Sequence, residues 1–364
     1  MTGGLYLHIP FCRAKCGYCA FLSRAGASEE LMSRYTAALT DEIKALPADL
    51  EVSSVYIGGG TPTALPPALL LGLMAAVGRL KLAPGAEFTV EANPGAVDRE
   101  YLRELYQSGA NRLSLGLQST DDALLRKMGR IHTYADFRAN YEAARRAGFA
   151  DISLDLMFAL PFQTLAGLSR DLERVIGMSP EHVSAYGLTL EEGTPFAALS
   201  PLPDEEDRAM YALVTERLQA AGYEHYEISN FARPGRQARH NSAYWRRAPY
   251  LGLGLGAHSF FGGRRFRNTE DMGRYLETSG NNKEALQEIS RAEAMSEFFF
   301  LGLRLLSGVD LAEFEREFGL PALDIYGDSI RKLRKLGLLK AEKDMLRLTP
   351  RGIDVSNRVF ASFI

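Results

Sequence analysis

The sequence has very little cysteine: only three of its 364 residues are cysteines, and all three lie between positions 12 and 19. A framework of structural disulfides is therefore excluded, because such frameworks use many dispersed cysteines. The net charge of −3 gives no general attraction to nucleic acid or to an anionic membrane. With 46% apolar and 24% charged residues, the composition is that of an ordinary globular protein.

Long apolar runs are also missing. The start, MTGGLYLHIPFC, lacks a basic stretch followed by a long apolar one, so no signal peptide is predicted. Residues 52–78 carry no charge, but glycines and prolines interrupt them and leave about 13 apolar positions in a row, too few to span a bilayer. We therefore expect a core helix at 66–78 and a soluble, cytoplasmic protein whose thiols stay reduced.

Alternating strand and helix patterns fill the first 220 residues or so. Amphipathic stretches that end in glycine, such as 134–148 and 204–222, predict helices. Six β–α units imply an α/β protein with a parallel sheet covered by helices, either a partial barrel or an open sheet, and the order of elements does not distinguish the two. The predicted strands are 4–9, 54–59, 87–92, 112–117, 151–158 and 182–188.

Three segments are predicted along the chain. The β–α repeats occupy residues 1–222, and residues 223–285 form an irregular segment rich in arginine, glycine and aromatic residues. Residues 286–364 carry helical patterns, then a two-stranded hairpin, then a last helix with Pro350 near its start. This order predicts a small, mostly helical, winged-helix-like C-terminal domain that packs on the repeats.

The three cysteines form the pattern C-x3-C-x2-C directly after the first strand, where parallel α/β folds bind ligands. Thiolates are soft ligands that suit zinc or an iron–sulfur cluster. A structural zinc ion needs a fourth ligand, for which His8 is the nearby candidate. A [4Fe–4S] cluster on Cys12, Cys16 and Cys19 leaves one iron open for a cofactor. Zinc, a disulfide with a spare thiol, and plain buried cysteines stay as alternatives.

Glycines and polar residues mark the ends of the following strands. YIGGGTPT (56–63) lacks the Lys of a phosphate-binding P-loop and does not match G-x-G-x-x-G, so it is a tight turn or a place where backbone meets a ligand. Glu91, Gln118 and Asp155 follow at later strand ends, and Arg130 comes soon after. Their recurrence at successive β–α units favours one shared polar ligand, since an inward carboxylate is costly without a partner.

C-x3-C-x2-C after the first strand of an α/β repeat protein resembles the radical S-adenosylmethionine (SAM) superfamily. The resemblance implies a partial (β/α)6 barrel and a [4Fe–4S] cluster whose open iron chelates SAM. In that superfamily an electron from the cluster cleaves SAM to a 5′-deoxyadenosyl radical. The three glycines of GGGTPT resemble the motif that holds the methionine end of SAM.

The order and spacing of LYLHIPFCRAKCGYCAF, GGGTPT, EANP, RLSLGLQS, DLMFALP and GLTLEEGTPF resemble the oxygen-independent coproporphyrinogen III oxidase family along the whole chain. Ala159 and Phe162 stand where that family commonly has glycine, and Leu255 where it has proline. These departures concern the local backbone of the pocket. The resemblance implies that SAM is contacted by Tyr6, Gly59, Gly60, Thr61, Glu91, Gln118, Arg130 and Asp155.

Two further differences from the oxidases are features in which the chain resembles the heme-chaperone (HemW) branch of this family. The oxidases extend the cluster motif by a further cysteine, where Phe21 stands here. They also carry an N-terminal extension, whereas this chain begins a few residues before its first strand. The resemblance therefore implies a heme chaperone and not a coproporphyrinogen oxidase, and whether the protein is an enzyme is left open.

The segment 228–269 has no Asp, Glu or Lys, yet it contains eight arginines. Arginine pairs with carboxylates and stacks on flat rings, so this composition suits a porphyrin with its propionates. An ordinary basic surface loop or an RNA-contacting one is the alternative. His240 is a candidate axial ligand to iron, and His258 a second one. HNSAYW (240–245) resembles the H-N-x-x-Y-W motif of the heme-chaperone branch, which implies heme contacts by His240, Asn241, Tyr244 and Trp245.

The resemblance implies a protein that binds heme and delivers it to a respiratory apoprotein, with an electron donor such as a flavodoxin or ferredoxin. A transient contact with a membrane protein is possible, and no nucleic acid is expected. The alternatives are an oxygen-independent coproporphyrinogen oxidase, which decarboxylates propionates, or another radical SAM enzyme acting on porphyrin. His182 and His225 are expected to be structural or surface residues, and His132 to face the site.

Overall fold

The structure is a computed structural model that describes residues 2–281 and 283–364. Its largest sheet has twelve strands. Seven neighbouring strands run parallel, in the order β11, β1, β4, β5, β6, β7, β8, and curve into a partial barrel. The predicted partial barrel is thereby confirmed. These strands are β1 (Thr2–Ile9), β4 (Glu51–Gly59), β5 (Lys81–Ala92), β6 (Arg112–Gln118), β7 (Ile152–Phe158), β8 (His182–Gly187) and β11 (Tyr250–Leu253).

Helices cover the outside of the barrel, and their ends follow from local side-chain chemistry. The Asp98 side chain accepts the N–H of Tyr101, and Thr133 and Asp136 form a reciprocal capping box. Gly148 ends its helix with φ +113°, a left-handed conformation that favours glycine. The helices are α1 (Glu29–Lys44), α2 (Pro67–Val77), α3 (Arg99–Gln107), α4 (Asp122–Lys127), α5 (Tyr134–Ala147), α6 (Leu165–Met178) and α7 (Asp204–Ala220), with 3₁₀ turns at Pro62–Ala64 and Pro195–Ala198.

The segment that was predicted to be irregular contains short regular elements that extend the sheet at both ends. Its strands are three to six residues long, so alternation along any one of them is too brief to read from the sequence. β11 pairs in parallel with β1 and so completes one side of the barrel. The elements are β9 (Glu224–Glu227), β10 (Asn230–Ala232), α8 (Arg239–Trp245), β12 (His258–Phe261), β13 (Arg264–Asn268), α9 (Met272–Thr278) and β14 (Lys283–Glu288).

The C-terminal part has its own core, in which Phe299 stacks on Phe363 and Phe314 packs against both Phe318 and Tyr326. The predicted helices and two-stranded wing are present. They are α10 (Arg291–Gly302), β15 (Val309–Asp310), α11 (Leu311–Phe318), α12 (Ala322–Lys335), β16 (Leu339–Glu342), β17 (Met345–Leu348), α13 (Pro350–Asp354), α14 (Ser356–Phe360) and a 3₁₀ turn at Ala361–Phe363. No helix among the described residues is both long and apolar enough to cross a bilayer.

Two of the eight arginines, Arg247 and Arg265, hold the C-terminal part against the barrel. The buried Glu297 of α10 accepts hydrogen bonds from Arg247 Nε at 3.2 Å and Arg265 Nη2 at 2.7 Å. Arg247 also reaches Glu317. These guanidinium groups are therefore neutralised within the protein, which reduces the number of arginines available to an anionic ligand.

Replacing Glu297 by glutamine should destabilise the protein by about 2–3 kcal/mol, because it leaves two guanidinium groups short of a buried carboxylate. The Glu297 side chain is only 8% exposed. Glu288→Gln is the matched control, since Glu288 also pairs with an arginine, Arg264, but is 78% exposed. The control should cost less than about 1 kcal/mol. Urea midpoints would measure both, and equal losses would contradict a role for Glu297 in holding the two parts together.

Candidate functional site

All three cysteines line one cavity of about 360 Å³ at the carboxyl ends of the barrel strands. Cys12 belongs to a two-residue strand, β2 (Phe11–Cys12), which pairs with β3 (Arg24–Ala25) and anchors both ends of the loop. The Thr61 hydroxyl lies 3.6 Å from the Cys12 sulfur, and Arg130 Nη1 lies 3.6 Å from the Cys16 sulfur. Both groups are hydrogen-bond donors that face cysteine sulfurs.

The three thiols provide the donor set of a [4Fe–4S] cluster. All three line the same cavity and the sequence has no fourth cysteine, so a cluster held there would keep one iron open. Thiolates are the soft ligands that iron–sulfur clusters use.

His8 does not serve as a fourth ligand in this arrangement. Its Nδ1 is 2.9 Å from the Tyr6 hydroxyl, and its Nε2 is 2.8 Å from the carbonyl oxygen of Leu22. Both ring nitrogens are thus engaged, and burial lowers the pKa of this imidazole. His8 ties the end of the cysteine loop to Tyr6, which is a positioning role.

The glycine motif brings backbone against the cysteine loop. Gly59 has φ +112°, and a Cβ there would meet His8 Nδ1 at 2.4 Å. At Gly60 a Cβ would meet the carbonyl oxygen of Phe11 at 2.7 Å. The next amide, Thr61 N–H, donates to that same carbonyl at 2.7 Å. Only glycine permits this approach at positions 59 and 60, so the motif forms a bare backbone wall beside the cysteines.

Glu91 joins the glycine motif to the barrel interior. One carboxylate oxygen accepts the Tyr56 hydroxyl at 2.7 Å, and the other accepts the Gly59 N–H at 3.0 Å. Burial raises the pKa of Glu91, although both hydrogen bonds oppose the change. A carboxylate in this position offers a charged acceptor to a cationic ligand in the cavity.

A second network holds Arg130 over the cysteine loop. Arg130 Nη2 donates to Asn93 Oδ1 and to the Gly116 carbonyl, both at 2.7 Å. The Asn93 amide in turn donates to the Thr61 hydroxyl at 2.6 Å. Asn93 was not singled out in the sequence; it directly follows the last residue of β5, Ala92.

The barrel interior is unusually polar. Asp155 accepts a hydrogen bond from Ser114 at 3.3 Å, and burial followed by the nearby charge of Glu91 raises the pKa of Asp155 to about 7. The sequence carries a signal for these residues, because polar side chains recur at every second position of otherwise apolar strands. Cavity-lining residues that the sequence reasoning missed are Tyr56, Asn93, Arg112, Ser114, Ser153, Ser184 and Tyr186.

Of the eight residues predicted to contact SAM, seven line this cavity. Tyr6 is the exception: it lies beside the cavity, with its ring 6.2 Å from that of Tyr56. Gln118 has φ +67° at an irregularity between β6 and β7, which turns its side chain into the cavity. Ala159 has φ +57°, so glycine is the less strained residue there, which explains the family preference for it.

The helix that carries H-N-x-x-Y-W, α8, closes the barrel at the other end of its strands. His240 is 2% exposed, with Nδ1 2.9 Å from the Ser54 hydroxyl and Nε2 2.7 Å from the Tyr244 hydroxyl. Its ring stacks on Tyr56 at 5.3 Å between centroids. Burial, and then the charge of Arg112, lower the pKa of His240 to about 3. In this arrangement neither ring nitrogen is free to bind iron.

The remaining motif residues face different surroundings. Asn241 reaches the same cavity as the cysteines. Trp245 instead lies under the guanidinium of Arg304, 4.3 Å from the ring centroid, and its buried Nε1–H has no hydrogen-bond partner among the described residues. The four residues predicted to contact heme therefore do not share one pocket, and their role stays a prediction.

The other histidines differ in their surroundings. His182 is buried between the hydroxyls of Ser153 and Tyr226, at 2.7 Å and 2.9 Å, and His225 stacks on Phe231. His258 is exposed. His132 is buried near Arg130, which together with burial lowers its pKa to about 4.

Comparisons with known proteins place these features in a family. Residues 6–175 match the model of the radical SAM superfamily, and residues 289–355 match the model of the HemN C-terminal domain. A curated heme chaperone HemW of Bacillus subtilis is 36% identical over 99% of this chain and 98% of its own length. The Escherichia coli heme chaperone HemW is 35% identical over 99% of this chain and 97% of its own length.

Two further proteins extend this set. The radical SAM domain-containing protein 1 of Bos taurus mitochondria is 33% identical over 99% of this chain and 87% of its own length. The solved structure of coproporphyrinogen III oxidase (HemN) from Escherichia coli superposes with a TM-score of 0.88 over 99% of this chain and 89% of that one. At 24% identity, that superposition establishes the shared fold alone.

Proposed function

The chain belongs to the heme chaperone HemW family within the radical SAM superfamily, and we propose that it binds heme and hands it to an apoprotein. Membership of this superfamily implies a [4Fe–4S] cluster and SAM. The observation that carries the proposal is full-length similarity to several curated heme chaperones. The acceptor proposed here is a respiratory apoprotein, which is the finer part of the proposal.

The cluster would be held by Cys12, Cys16 and Cys19, and SAM by the cavity residues around them. When bound together, the cluster and SAM supply one-electron reductive chemistry. The bare backbone of Gly59 and Gly60 supports a site for the methionine end of SAM, and the carboxylate of Glu91 complements a cationic amino group. Arg130 would keep the loop oriented through Cys16.

The residue at position 21 favours a chaperone over an oxidase. Phe21 stands where the oxidase pattern of the cluster motif has its further cysteine, and its side chain is exposed at the lip of the cavity. An exposed aromatic ring at this lip favours contact with a partner protein. The polar cavity itself is the observation that favours the second candidate, a radical SAM enzyme acting on porphyrin.

The H-N-x-x-Y-W segment is proposed to support heme binding, and His240 is proposed to position α8. Its bond to Ser54 of β4 fixes the helix at the base of the barrel, and its bond to Tyr244 lies within α8 itself. Axial ligation by His240 would require the bond of the ligating nitrogen to break. Replacement of His240 is therefore expected to weaken heme binding through displacement of the helix.

An acidic redox protein is proposed as the electron donor, which is the chemistry of a flavodoxin or ferredoxin. Two exposed cations, Arg13 and Lys15, lie on the cysteine loop. Opposite charges on two proteins accelerate their encounter and orient it. Raising the salt concentration should therefore slow reduction of the cluster by such a donor.

Heme titration of anaerobically reconstituted protein tests the proposal, followed by mixing with an apo-heme protein. We expect saturable binding of about one heme per chain, seen in the absorption spectrum, and then transfer of the heme to the acceptor. Absence of saturable binding would overturn the proposal. Binding without transfer to any acceptor would contradict the chaperone part.

Gly59→Ala should weaken SAM binding at least about tenfold, because a methyl group there collides with His8 and shifts the glycine wall. Gly109→Ala is the matched control: Gly109 has a similar φ of +103°, but its added Cβ would meet no atom within 4 Å. Calorimetric titration of SAM into the reconstituted variants measures the difference. Equal SAM affinity in the two variants would show that this wall does not contact the cofactor.

A further inference from the structure

A large open groove of about 1350 Å³ lies on the face of the barrel opposite to the cysteines. Its walls include residues at the starts of β6 and β7 and one face of the motif helix α8. Arg239, Ala243 and Arg246 are spaced by about one helical turn each, so they share that face. The helix therefore separates two cavities, because Asn241 on its other side reaches the cavity of the cysteines.

Two arginines in this groove have unused hydrogen-bonding capacity. Arg246 forms no ion pair or side-chain hydrogen bond in the part of the chain that the structure describes. Arg112 is 3% exposed, yet its Nε and Nη2 have no hydrogen-bond partner. The nearest carboxylate oxygen, Asp151 Oδ1, is 3.5 Å from Nε and is itself without a hydrogen bond. Buried donors left in this state are rare unless a ligand satisfies them.

The carboxylates of the groove are mostly occupied. Glu87 accepts the backbone N–H groups of Arg239 and His240, at 2.8 Å and 3.0 Å. Glu224 accepts the side-chain amide of Gln237. Asp151 lies between Arg112 and Arg236, the latter at 3.8 Å. The groove thus contains four guanidinium groups and three carboxylates. The hydrogen-bond donors without partners belong to the guanidinium groups.

We propose that this groove binds the two propionate groups of heme, with Arg246 and Arg112 as the carboxylate anchors. The inference rests on the proposed heme-binding function and names the site. Guanidinium groups bind carboxylates bidentately, and their planes stack on flat rings. Tyr106, 41% exposed on the groove wall, adds an aromatic face for the macrocycle. The groove also exceeds the usual volume of about 300–1,000 Å³ for small-ligand pockets.

This placement gives the outer face of α8, and not the imidazole of His240, the main contacts with heme. His240 lies on the inner side of the helix, with both nitrogens bonded. Arg112 lines both the groove and the cavity of the cysteines. A heme carboxylate bound to Arg112 would therefore lie next to the floor of the proposed SAM site.

The test compares heme with its dimethyl ester, and wild-type protein with Arg246→Gln, Arg112→Lys and the control Arg264→Gln. Arg264 is exposed on β13 and paired with the exposed Glu288, away from the groove. Wild type should bind heme at least about tenfold more tightly than the ester, as expected for charge-assisted bonds to both propionates. Arg246→Gln should lose most of that preference, and Arg264→Gln should keep it.

The outcomes separate the groove from the function. If wild type binds heme and both groove variants bind heme and ester as wild type does, the groove proposal is overturned while the chaperone proposal stands. If wild type binds no heme, both are overturned. Because Arg112 is buried, Arg112→Lys is interpreted only if its circular dichroism and its melting temperature match those of wild type. If they do not match, Arg246→Gln alone decides the proposal.

Discussion

Replacing Cys12, Cys16 or Cys19 by serine is expected to abolish the cluster in each single variant. No other cysteine exists in the sequence, so a lost thiolate cannot be replaced by a neighbour. A serine hydroxyl is a harder and weaker ligand to iron than a thiolate. After anaerobic reconstitution, wild type should hold about four iron ions per chain and each variant close to none, measured by iron analysis and visible absorption.

Ala20→Ser is the matched control for this experiment. It introduces the same hydroxyl next to Cys19, at an exposed position, without removing a thiol. The control should reconstitute like wild type. A full complement of iron in any one of the three cysteine variants would contradict the assignment of that cysteine as a ligand, and one bound zinc per wild-type chain would contradict the cluster itself.

Asp155→Asn is expected to remove a large pH dependence of stability. The folded pKa of Asp155 is raised from 3.8 to about 7, first by burial and then by Glu91. The native state therefore binds more protons than the unfolded chain between these values, so the stability that Asp155 contributes is fully present below pH 4 and is lost as the pH rises through 7. A shift of this size corresponds to roughly 4 kcal/mol, and the neutral amide of asparagine should recover about 2–4 kcal/mol of it near pH 8.

Urea midpoints of wild type and Asp155→Asn at about pH 5 and about pH 8 would measure this effect. The difference in free energy of unfolding between the variant and wild type should increase in favour of the variant at the higher pH. Other groups that face Asp155 are Arg112, Tyr186 and Ser184. Asp41→Asn, at an exposed carboxylate, is the control and should show no such gap. A difference in free energy of unfolding between Asp155→Asn and wild type that stays constant with pH would contradict the claim that Asp155 is a neutral buried acid.

The predictions from sequence were best where one local rule determined the result. Alternation of strand and helix patterns predicted a parallel sheet covered by helices, and Gly148 marked a helix end because the left-handed conformation there favours glycine. The cysteine spacing and the glycine run predicted which face of the barrel carries the site. The resemblance to a known family, and not periodicity, distinguished a barrel from an open sheet.

The sequence was least informative where long-range pairing decides the outcome. Arg247 and Arg265 are ligand-binding candidates by composition, but the structure pairs both with Glu297, which lies some 30 residues or more away in the chain. His240 was a candidate iron ligand, yet its nitrogens are taken by Ser54 and Tyr244. The partners Glu297 and Ser54 could not be read from the sequence, because they depend on how distant elements pack together, whereas Tyr244 lies one helical turn from His240.

The polar interior of the barrel was partly predictable from the sequence. Ser114, Ser153 and Ser184 interrupt apolar strands at alternating positions, which is a readable signal. Their meeting around Asp155 follows only from the register of three parallel strands, in which Asp155 stands opposite Ser184. The direction of each side chain was therefore predictable, whereas the network was not.

The most direct test of the heme-carrier proposal is a single assay on wild-type protein with a reconstituted cluster. The protein is incubated anaerobically with SAM, a reductant and either coproporphyrinogen III or heme, and the tetrapyrroles are then identified by mass. The proposal predicts that heme is bound stoichiometrically and recovered intact, and that coproporphyrinogen keeps all its carboxyl groups. Repeated turnover with loss of carbon dioxide would contradict it and would identify a decarboxylating enzyme.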